Sequence, residues 1–152
     1  MYQKLAITLI TKHDLNEHQT MAFLLLIDTV GKQLESTCQL PPLRLLVTGP
    51  GGTGKSRIFE AWTEFHQKMD CIQEFRLTAP TGVVASDIGG CTIHAEAALR
   101  VKRANMKADT ASGQKVRGEL EHRFAPVRTL VVDEIYFMDP TDMSLLSEYC
   151  SI

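Results

Sequence analysis

The stretch that decides the fold of this chain is Gly49-Pro50-Gly51-Gly52-Thr53-Gly54-Lys55-Ser56. It satisfies the pattern G-x-x-x-x-G-K-[ST], which is typical of the phosphate-binding loop of nucleoside triphosphatases. Glycines let successive backbone N–H groups converge on phosphate oxygens, and the following helix adds its positive dipole end. Lys55 is expected to reach the β- and γ-phosphates, and the Ser56 hydroxyl to bind Mg²⁺. The predicted nucleotide-binding residues of the loop are Gly49, Gly51, Gly52, Thr53, Gly54, Lys55 and Ser56.

The flanks of this loop have the patterns of a strand and of a helix. The segment Pro41–Thr48 contains an apolar run that predicts a buried parallel strand, made of Leu43, Leu45, Leu46 and Val47. The segment Arg57–Met69 places apolar residues on one side of a helix, namely Ile58, Phe59, Trp62 and Phe65. This context disfavours the alternative of a glycine-rich turn with a chance Lys-Ser pair. We therefore predict an α/β fold of the P-loop NTPase class.

The bulk properties of the 152-residue chain restrict its class. Its length suggests one domain at most, and its formal net charge of −2 requires any nucleic-acid contact to be local. The four cysteines include no C-x-x-C pair, which indicates reduced, intracellular thiols instead of a zinc site or a disulfide framework. No apolar run approaches the roughly 20 residues that span a bilayer. The opening Met1–Ile10 is too short for a signal peptide with its cleavage site, so we expect an intracellular protein without a membrane partner.

The region before the loop predicts a helix after an irregular start. Met1–Lys12 is rich in Leu, Ile and Thr and is interpreted as strand or coil. Apolar residues at helical spacing then follow Asn16, a good N-cap, with Gln19 at the third helical position of a capping box. Gln19 has two interpretations. Spacing alone favours the structural cap, but its carboxamide could also donate and accept at N7 and N6 of adenine.

The middle of the chain predicts a second strand, two short helices and a basic insertion. The strand covers Ile72–Ala79, and short helices follow at Val83–Ile88 and at Thr92–Leu99. The segment Arg100–Gly118 is basic and has little apolar material, which indicates a solvated, mobile insertion or, alternatively, a nucleic-acid patch. A further helix is expected at Gln114–Phe124.

The apolar segment Thr129–Val132 leads directly into two carboxylates, Asp133 and Glu134. Opposite a phosphate loop, Asp133 can hold the Mg²⁺ shell while Glu134 polarises the attacking water. Acids end many exposed strands, so the pair is a weak signal alone and a strong one together with the loop. The predicted catalytic residues are Lys55, Asp133 and Glu134. A last helix is expected from Asp139-Pro140 onward.

Together these segments resemble the Pif-type (petite integration frequency) DNA helicases of superfamily one. Leu15-Asn16-x-x-Gln19-x-x-Ala22-Phe23 looks like their adenine-recognition Q motif, and Gly49–Ser56 matches their motif I. The run from Leu77-Thr78-Ala79-Pro80-Thr81-Gly82 to Thr92-Ile93-His94 looks like motif Ia and its extension. Leu130–Ile135 matches motif II. The resemblance covers nearly the whole chain from Leu15 onward.

The resemblance implies an ATP-dependent DNA helicase with Mg²⁺, in DNA repair, recombination or telomere maintenance, in the nucleus or the mitochondrion. It favours Gln19 as adenine reader over Gln19 as cap alone, although both can hold at once. It also implies a surface facing single-stranded DNA, since hydroxyls and turn N–H groups suit phosphate contacts. The residues of that surface are Thr78, Pro80, Thr81 and His94. A His94 that is only packed at a helix start remains an equal alternative.

The resemblance further implies a partial RecA-like parallel sheet over residues 15–152, after an N-terminal segment at 1–14. Because the sequence ends soon after motif II, we expect a fragment without the second motor domain and its arginine finger, marginally stable and weakly active at most. After Ile135 the family usually continues Ser-Met, whereas Tyr136-Phe137 stands here, which puts the positioning of the acidic pair in question. Two alternatives are a non-catalytic nucleotide-binding remnant of a helicase or helicase-bearing transposon, and a small P-loop kinase.

Overall fold

The computed structural model describes residues 2–35, 41–99 and 111–149. The chain divides into two compact units, Met1–Ile72 and Gln73–Ile152. Helices and a parallel sheet make it an α/β protein, which confirms the predicted fold class and is consistent with a partial P-loop NTPase domain. The domain limits at residues 1–14 and 15–152 stay a prediction. Within the described ranges, no helix is long and apolar enough to cross a membrane.

The described part of the first unit consists of helices α1 (Tyr2–Lys12), α2 (Glu17–Glu35) and α3 (Lys55–Lys68). Its core is aromatic: Phe23 of α2 and Trp62 and Phe65 of α3 are all fully buried. Trp62 stacks on Phe65 with ring centroids 5.2 Å apart and meets Phe23 edge-on at 5.9 Å. This packing holds α3, and with it the residues that begin the helix, against α2.

The interpretation of Met1–Lys12 as strand or coil is wrong, because residues 2–12 form helix α1. The buried residues of α1, Ala6 and Leu9, are three positions apart and therefore share one helix face. At its end, Lys12 donates to the carboxylate of Glu64 on α3 at 2.7 Å. Packing and such long-range contacts outweigh the strand preference of the Ile and Thr residues.

The predicted strand at Pro41–Thr48 is wrong as well, because residues 41–50 have no regular secondary structure. Leu43, Leu45 and Leu46 are exposed, and no strand in the described part of the chain pairs with them. A strand is stable only when neighbouring strands satisfy its backbone N–H and C=O groups. The apolar run therefore cannot form a buried strand without such a neighbour.

A parallel sheet of three described strands forms the centre of the second unit, in the order β2-β1-β3: β1 (Phe75–Ala79), β2 (Cys91–Thr92) and β3 (Thr129–Val132). The predicted strands at Ile72–Ala79 and Thr129–Val132 are confirmed, although the first begins only at Phe75. In the register of β1 and β3, Thr78 lies opposite Val132. Because parallel strands end at the same edge, the segments that follow β1 and β3 lie at one edge of the sheet.

The described helices of the second unit are α4 (Gly82–Asp87), α5 (Ile93–Glu96), α6 (Ala111–Phe124) and α7 (Pro140–Tyr149). Helix α6 begins at Ala111, before the predicted start at Gln114, so the last residues of the expected insertion are helical. The rest of that insertion, residues 100–110, lies outside the described residues. A buried cluster connects the elements after β2 with α7, and it contains Ile93, Ala97, Leu99, Met138 and Leu146. Gly90 passes so close to β1 that a Cβ there would collide with the carbonyl oxygen of Leu77.

Candidate nucleotide site

The phosphate loop contains left-handed glycines directly before α3. Gly52 and Gly54 have φ angles of 75° and 76°, a region that residues with side chains rarely adopt. Between them, the Thr53 hydroxyl donates to the carbonyl oxygen of Pro50 at 2.8 Å, which closes the loop on itself. Lys55 is the first helical residue. The loop therefore leads into a helix start, where backbone N–H groups and the helix dipole favour an anion.

The side chain of Lys55 is folded over this loop. Its ammonium donates to the carbonyl oxygens of Gly49 at 2.9 Å and Pro50 at 3.1 Å. Ser56 follows in the first turn of α3 and is exposed. The ammonium and the hydroxyl are thus the groups that a triphosphate and its metal ion require, at the start of one helix.

Gln19 joins the start of α2 to the phosphate loop. Its Oε1 accepts from the backbone N–H of Asn16 at 2.9 Å, and its own N–H donates to Asn16 Oδ1 at 3.0 Å, so the predicted capping box is present. Its Nε2 donates to the carbonyl oxygens of Thr53 at 3.2 Å and Gly54 at 2.9 Å. Gln19 is only 7% exposed, and the predicted adenine contact would compete with these bonds.

Gly54 is required by two independent features of this contact. Its backbone is left-handed, and a Cβ at this position would lie 2.8 Å from Nε2 of Gln19. A side chain at position 54 would therefore strain the backbone and push the Gln19 amide away from the loop.

The beginning of α3 is anchored by polar contacts that no sequence motif marks. Arg57 donates to the carbonyl oxygens of His13 at 3.4 Å and Asp14 at 3.3 Å, just beyond α1. Further along α3, Glu64 accepts from Lys12 at 2.7 Å and pairs with His13 at 2.9 Å. These hydrogen bonds, from Lys12 first and then His13, lower the pKa of Glu64 to about 2.

The predicted acidic pair lies in the second unit, directly after β3. The backbone N–H of Asp133 donates to the carbonyl oxygen of Thr78 at 2.8 Å, and that of Glu134 donates to Asp133 Oδ1 at 2.9 Å. The backbone of Glu134 has a left-handed conformation, with a φ angle of 51°, so the chain turns sharply at this residue. Both side chains are half-buried at the carboxyl end of the strands, where open α/β sheets bind ligands.

Tyr136, at the position where the family pattern has serine, interacts with the acidic pair. A hydrogen bond with the Glu134 carboxylate, together with the negative charge of that group, raises the pKa of Tyr136. The ring is 72% exposed and lies 5.4 Å from that of Phe137. The tyrosine thus replaces a small hydroxyl residue with a large one that still contacts Glu134.

Thr78 cannot make the DNA contact predicted for it. It is fully buried, and its hydroxyl donates to the carbonyl oxygen of Val131 at 2.7 Å. Thr78 instead fastens β1 to β3 next to the acidic pair. By contrast, Thr81 is exposed, and its neighbour Pro80 is half-buried. The Thr81 side chain caps α4 by accepting from the backbone N–H of Val84 at 3.4 Å.

His94 packs at the start of helix α5, as the alternative to a DNA contact predicted. Its Nε2 lies 2.9 Å from Oδ2 of Asp142, a residue of α7 that is 2% exposed. The side chain of His94 keeps 25% of its surface accessible. It therefore fastens α5 to α7, and its predicted DNA contact stays a prediction for the part that remains accessible.

Ser56 in the first unit and Asp133 in the second unit stay predicted magnesium ligands. Within residues 2–35, 41–99 and 111–149, no group of three or more His, Cys, Asp or Glu side chains is arranged to hold a metal ion. Mg²⁺ usually takes one or two protein oxygens and completes its shell with water and phosphate oxygens. The Ser56 hydroxyl and the Asp133 carboxylate are each oxygen ligands of the kind that this ion takes.

A protein-family model matches most of the chain. The model describes PIF1-like helicases and aligns with residues 14–148, a range that includes Gln19, the phosphate loop and the acidic pair. No solved structure matches the chain.

Two curated relatives are similar to parts of the chain. The ATP-dependent DNA helicase PIF1 of Saccharomyces cerevisiae (strain YJM789) is 34% identical over 97 residues, which cover 62% of this chain and 11% of that protein. The uncharacterized protein 030L of Invertebrate iridescent virus 6 is 23% identical over 109 residues, 71% of this chain and 21% of that protein. The chain thus spans about a fifth or less of the length of these relatives.

Proposed function

Because this chain belongs to the PIF1-like helicase family, we propose that it binds ATP at the phosphate loop and supplies the nucleotide-binding site of an ATP-dependent DNA helicase. The observation that carries the proposal is the conformation of the loop. Gly52 and Gly54 are left-handed, and Lys55 and Ser56 begin α3 directly after them. This arrangement supports binding of a triphosphate at a helix start.

In this proposal, the ammonium of Lys55 exchanges the carbonyl oxygens of Gly49 and Pro50 for phosphate oxygens. Hydrogen bonds between two charged groups are stronger than those to neutral carbonyls, which favours the exchange. Mg²⁺, held by Ser56 and Asp133, would neutralise charge on the phosphates. Glu134 would orient the attacking water and accept its proton.

Single-stranded DNA is the second proposed partner. Exposed Thr81 and the neighbouring Pro80 support a phosphate contact at the start of α4, a kind of contact that positions a strand without reading its sequence. A second motor domain is a further proposed partner. From the family alone we propose roles in DNA repair, recombination or telomere maintenance, and a location in the nucleus or mitochondrion.

Binding of a fluorescent ATP analogue with Mg²⁺ tests the nucleotide site. Lys55→Ala should weaken binding at least about tenfold, because a charge-assisted contact to phosphate is lost. Lys32→Ala is the matched control, since Lys32 pairs with Asp28 on the exposed side of α2 and should bind like wild type. Equal affinity of the Lys55→Ala and wild-type chains would contradict the proposal.

A second candidate function is nucleotide binding without turnover. The hydrogen bond between Tyr136 and Glu134 favours it, because a carboxylate engaged by a tyrosine is less available to orient water. ATP turnover with and without single-stranded DNA separates the two functions. DNA-stimulated turnover supports the helicase, whereas turnover that stays absent in wild type and appears in Tyr136→Ser supports the binder.

A further inference from the structure

One side of helix α2 carries apolar side chains that are exposed. Met21, Leu24 and Leu25 are all exposed, whereas Phe23 and Ile27 of the same helix are buried in the core. Because residues three and four positions apart lie on one side of a helix, the three exposed side chains form a continuous stripe. The outer side of a surface helix is usually polar. An apolar stripe on that side therefore indicates a surface that another protein segment covers.

Charged residues continue this stripe toward both ends of α2. Glu17 lies one turn before Met21, and Asp28 and Lys32 lie one and two turns after Leu24. All three charged residues are exposed. Lys32 pairs with Asp28 at 2.6 Å, but its side chain keeps 65% of its surface accessible, so it can bind a second carboxylate. The whole surface, the α2 face, consists of Glu17, Met21, Leu24, Leu25, Asp28 and Lys32.

The α2 face is complementary to a second copy of itself when the two helices are antiparallel. With a two-fold axis between Leu24 and Leu25, each Leu24 meets Leu25 of the other copy at the centre. The same axis places Glu17 of each copy opposite Lys32 of the other, at both ends of the contact. Parallel helices would instead place like charges opposite each other. A shift of the antiparallel helices by one turn would place Glu17 opposite Asp28, so the charges favour one orientation and one register.

We propose that the α2 face is a self-association surface, through which two copies of this chain pair with antiparallel α2 helices. The contacts of Leu24 with Leu25 stabilise the pair by removing apolar surface from water, and the pairs of Glu17 with Lys32 fix the register. A single helix face buries less than the about 1,200–2,000 Å² of stable interfaces. We therefore expect a weak dimer, with a Kd of about 10–100 μM. No residue of the α2 face belongs to the predicted nucleotide site, so the inference is independent of the proposed function.

Sedimentation equilibrium of the full 152-residue chain, from about 1 to 500 μM, measures the dimerisation constant. Leu24→Ser should weaken dimerisation at least about tenfold, because both symmetry-related contacts at the axis lose a large apolar group. Leu46→Ser is the matched control, since it makes the same chemical change at an exposed leucine outside α2 and should dimerise like wild type. Circular dichroism verifies that both variants fold.

Charge reversal tests the antiparallel register. Glu17→Lys and Lys32→Glu should each weaken dimerisation about tenfold at low salt, because each change places like charges opposite each other at two symmetry-related contacts. The variant with both changes has opposite charges facing each other again. Its dimerisation constant should return to within about threefold of wild type.

Each outcome supports or overturns the inference. A wild-type chain that stays monomeric up to the highest concentration overturns it and leaves the α2 face to a different partner. Equal weakening by Leu24→Ser and Leu46→Ser would identify non-specific association of exposed leucines, which overturns it as well. A double charge reversal that does not restore dimerisation overturns the antiparallel pairing. If Leu24→Ser does not fold, the charge-reversal series decides.

Discussion

The hydroxyl of Thr78, a fully buried residue of β1, donates to the carbonyl oxygen of Val131 in the neighbouring strand β3 at 2.7 Å. One residue beyond Val132, the N–H of Asp133 donates back to the carbonyl oxygen of Thr78 at 2.8 Å. The two bonds make Thr78 the residue that holds the start of the acidic turn against β1. We therefore expect Thr78 to position the backbone of Asp133, and we do not expect its hydroxyl to contact DNA.

Replacing Thr78 should therefore affect stability and not DNA affinity. Thr78→Val keeps the shape but removes the hydrogen bond from the hydroxyl to the carbonyl oxygen of Val131, which should cost about 1 kcal/mol of unfolding free energy. Thr78→Ser keeps the hydroxyl and should recover most of that loss. Urea unfolding measures the stability, and fluorescence anisotropy of labelled single-stranded DNA measures binding, with Thr81→Ala as the comparison. Loss of DNA binding in Thr78→Val without loss of stability would contradict this role.

Gly54→Ala should damage both the stability of the first unit and nucleotide binding. The left-handed backbone and the 2.8 Å approach of Gln19 Nε2 should cost about 1–3 kcal/mol of unfolding free energy. Gly51→Ala is the matched control for stability, because no atom lies within 4 Å of a Cβ there. Thermal unfolding of the two variants provides the measurement. Equal melting temperatures would show that the loop relaxes around an alanine.

Local patterns in the sequence predicted the features that neighbouring residues determine. The glycine loop before α3, the capping box of Asn16 and Gln19, and the strand before Asp133 each follow from interactions within a few positions. The contact between Gln19 and Gly54 joins residues 35 positions apart. The contact between Lys12 and Glu64 joins residues 52 apart. No periodicity reports such pairs, so the role of Gln19 at the loop was missed.

The wrong predictions have a related cause. Met1–Lys12 has residues of high strand propensity, but burial of Ala6 and Leu9 on one face makes it a helix. Pro41–Thr48 has the composition of a buried strand, yet a strand depends on a partner that the segment itself does not contain. Thr78 belongs to a motif associated with DNA, and only the structure shows its hydroxyl turned inward. In each case tertiary contacts decide what composition leaves open.

Cys91 should be an unreactive thiol in the folded protein. Burial, and then its hydrogen bond to Glu96 at 3.3 Å, raise the pKa of Cys91 from 9.0 to about 11. At pH 8 the thiolate fraction, and with it the rate of alkylation, should be about 100-fold lower than in the unfolded chain. Mass spectrometry after timed iodoacetamide treatment, with and without denaturant, measures the ratio. Equal rates in the two conditions would show that the thiol is neither buried nor bonded to Glu96.

Glu64 should make the stability of the first unit depend on acid pH. Its pKa is 4.5 in the unfolded reference and about 2 when bonded to Lys12 and His13, so its contribution is complete above pH 4.5 and is lost as the pH falls to 2. Glu64→Gln should lower the unfolding free energy by about 1 kcal/mol at pH 6, a value reduced by solvent screening of the pair. The difference between wild type and variant should disappear near pH 2.

Chemical unfolding of both proteins between pH 2 and pH 6 measures this difference. Glu60→Gln provides the matched control, because Glu60 is an exposed carboxylate on the same helix and its Oε2 lies 4.0 Å from Nδ1 of His13. That variant should stay within about 0.5 kcal/mol of wild type throughout. A Glu64→Gln deficit that persists unchanged at pH 2 would mean that the carboxylate stabilises α3 by packing, and not by its charge-assisted bonds to Lys12 and His13.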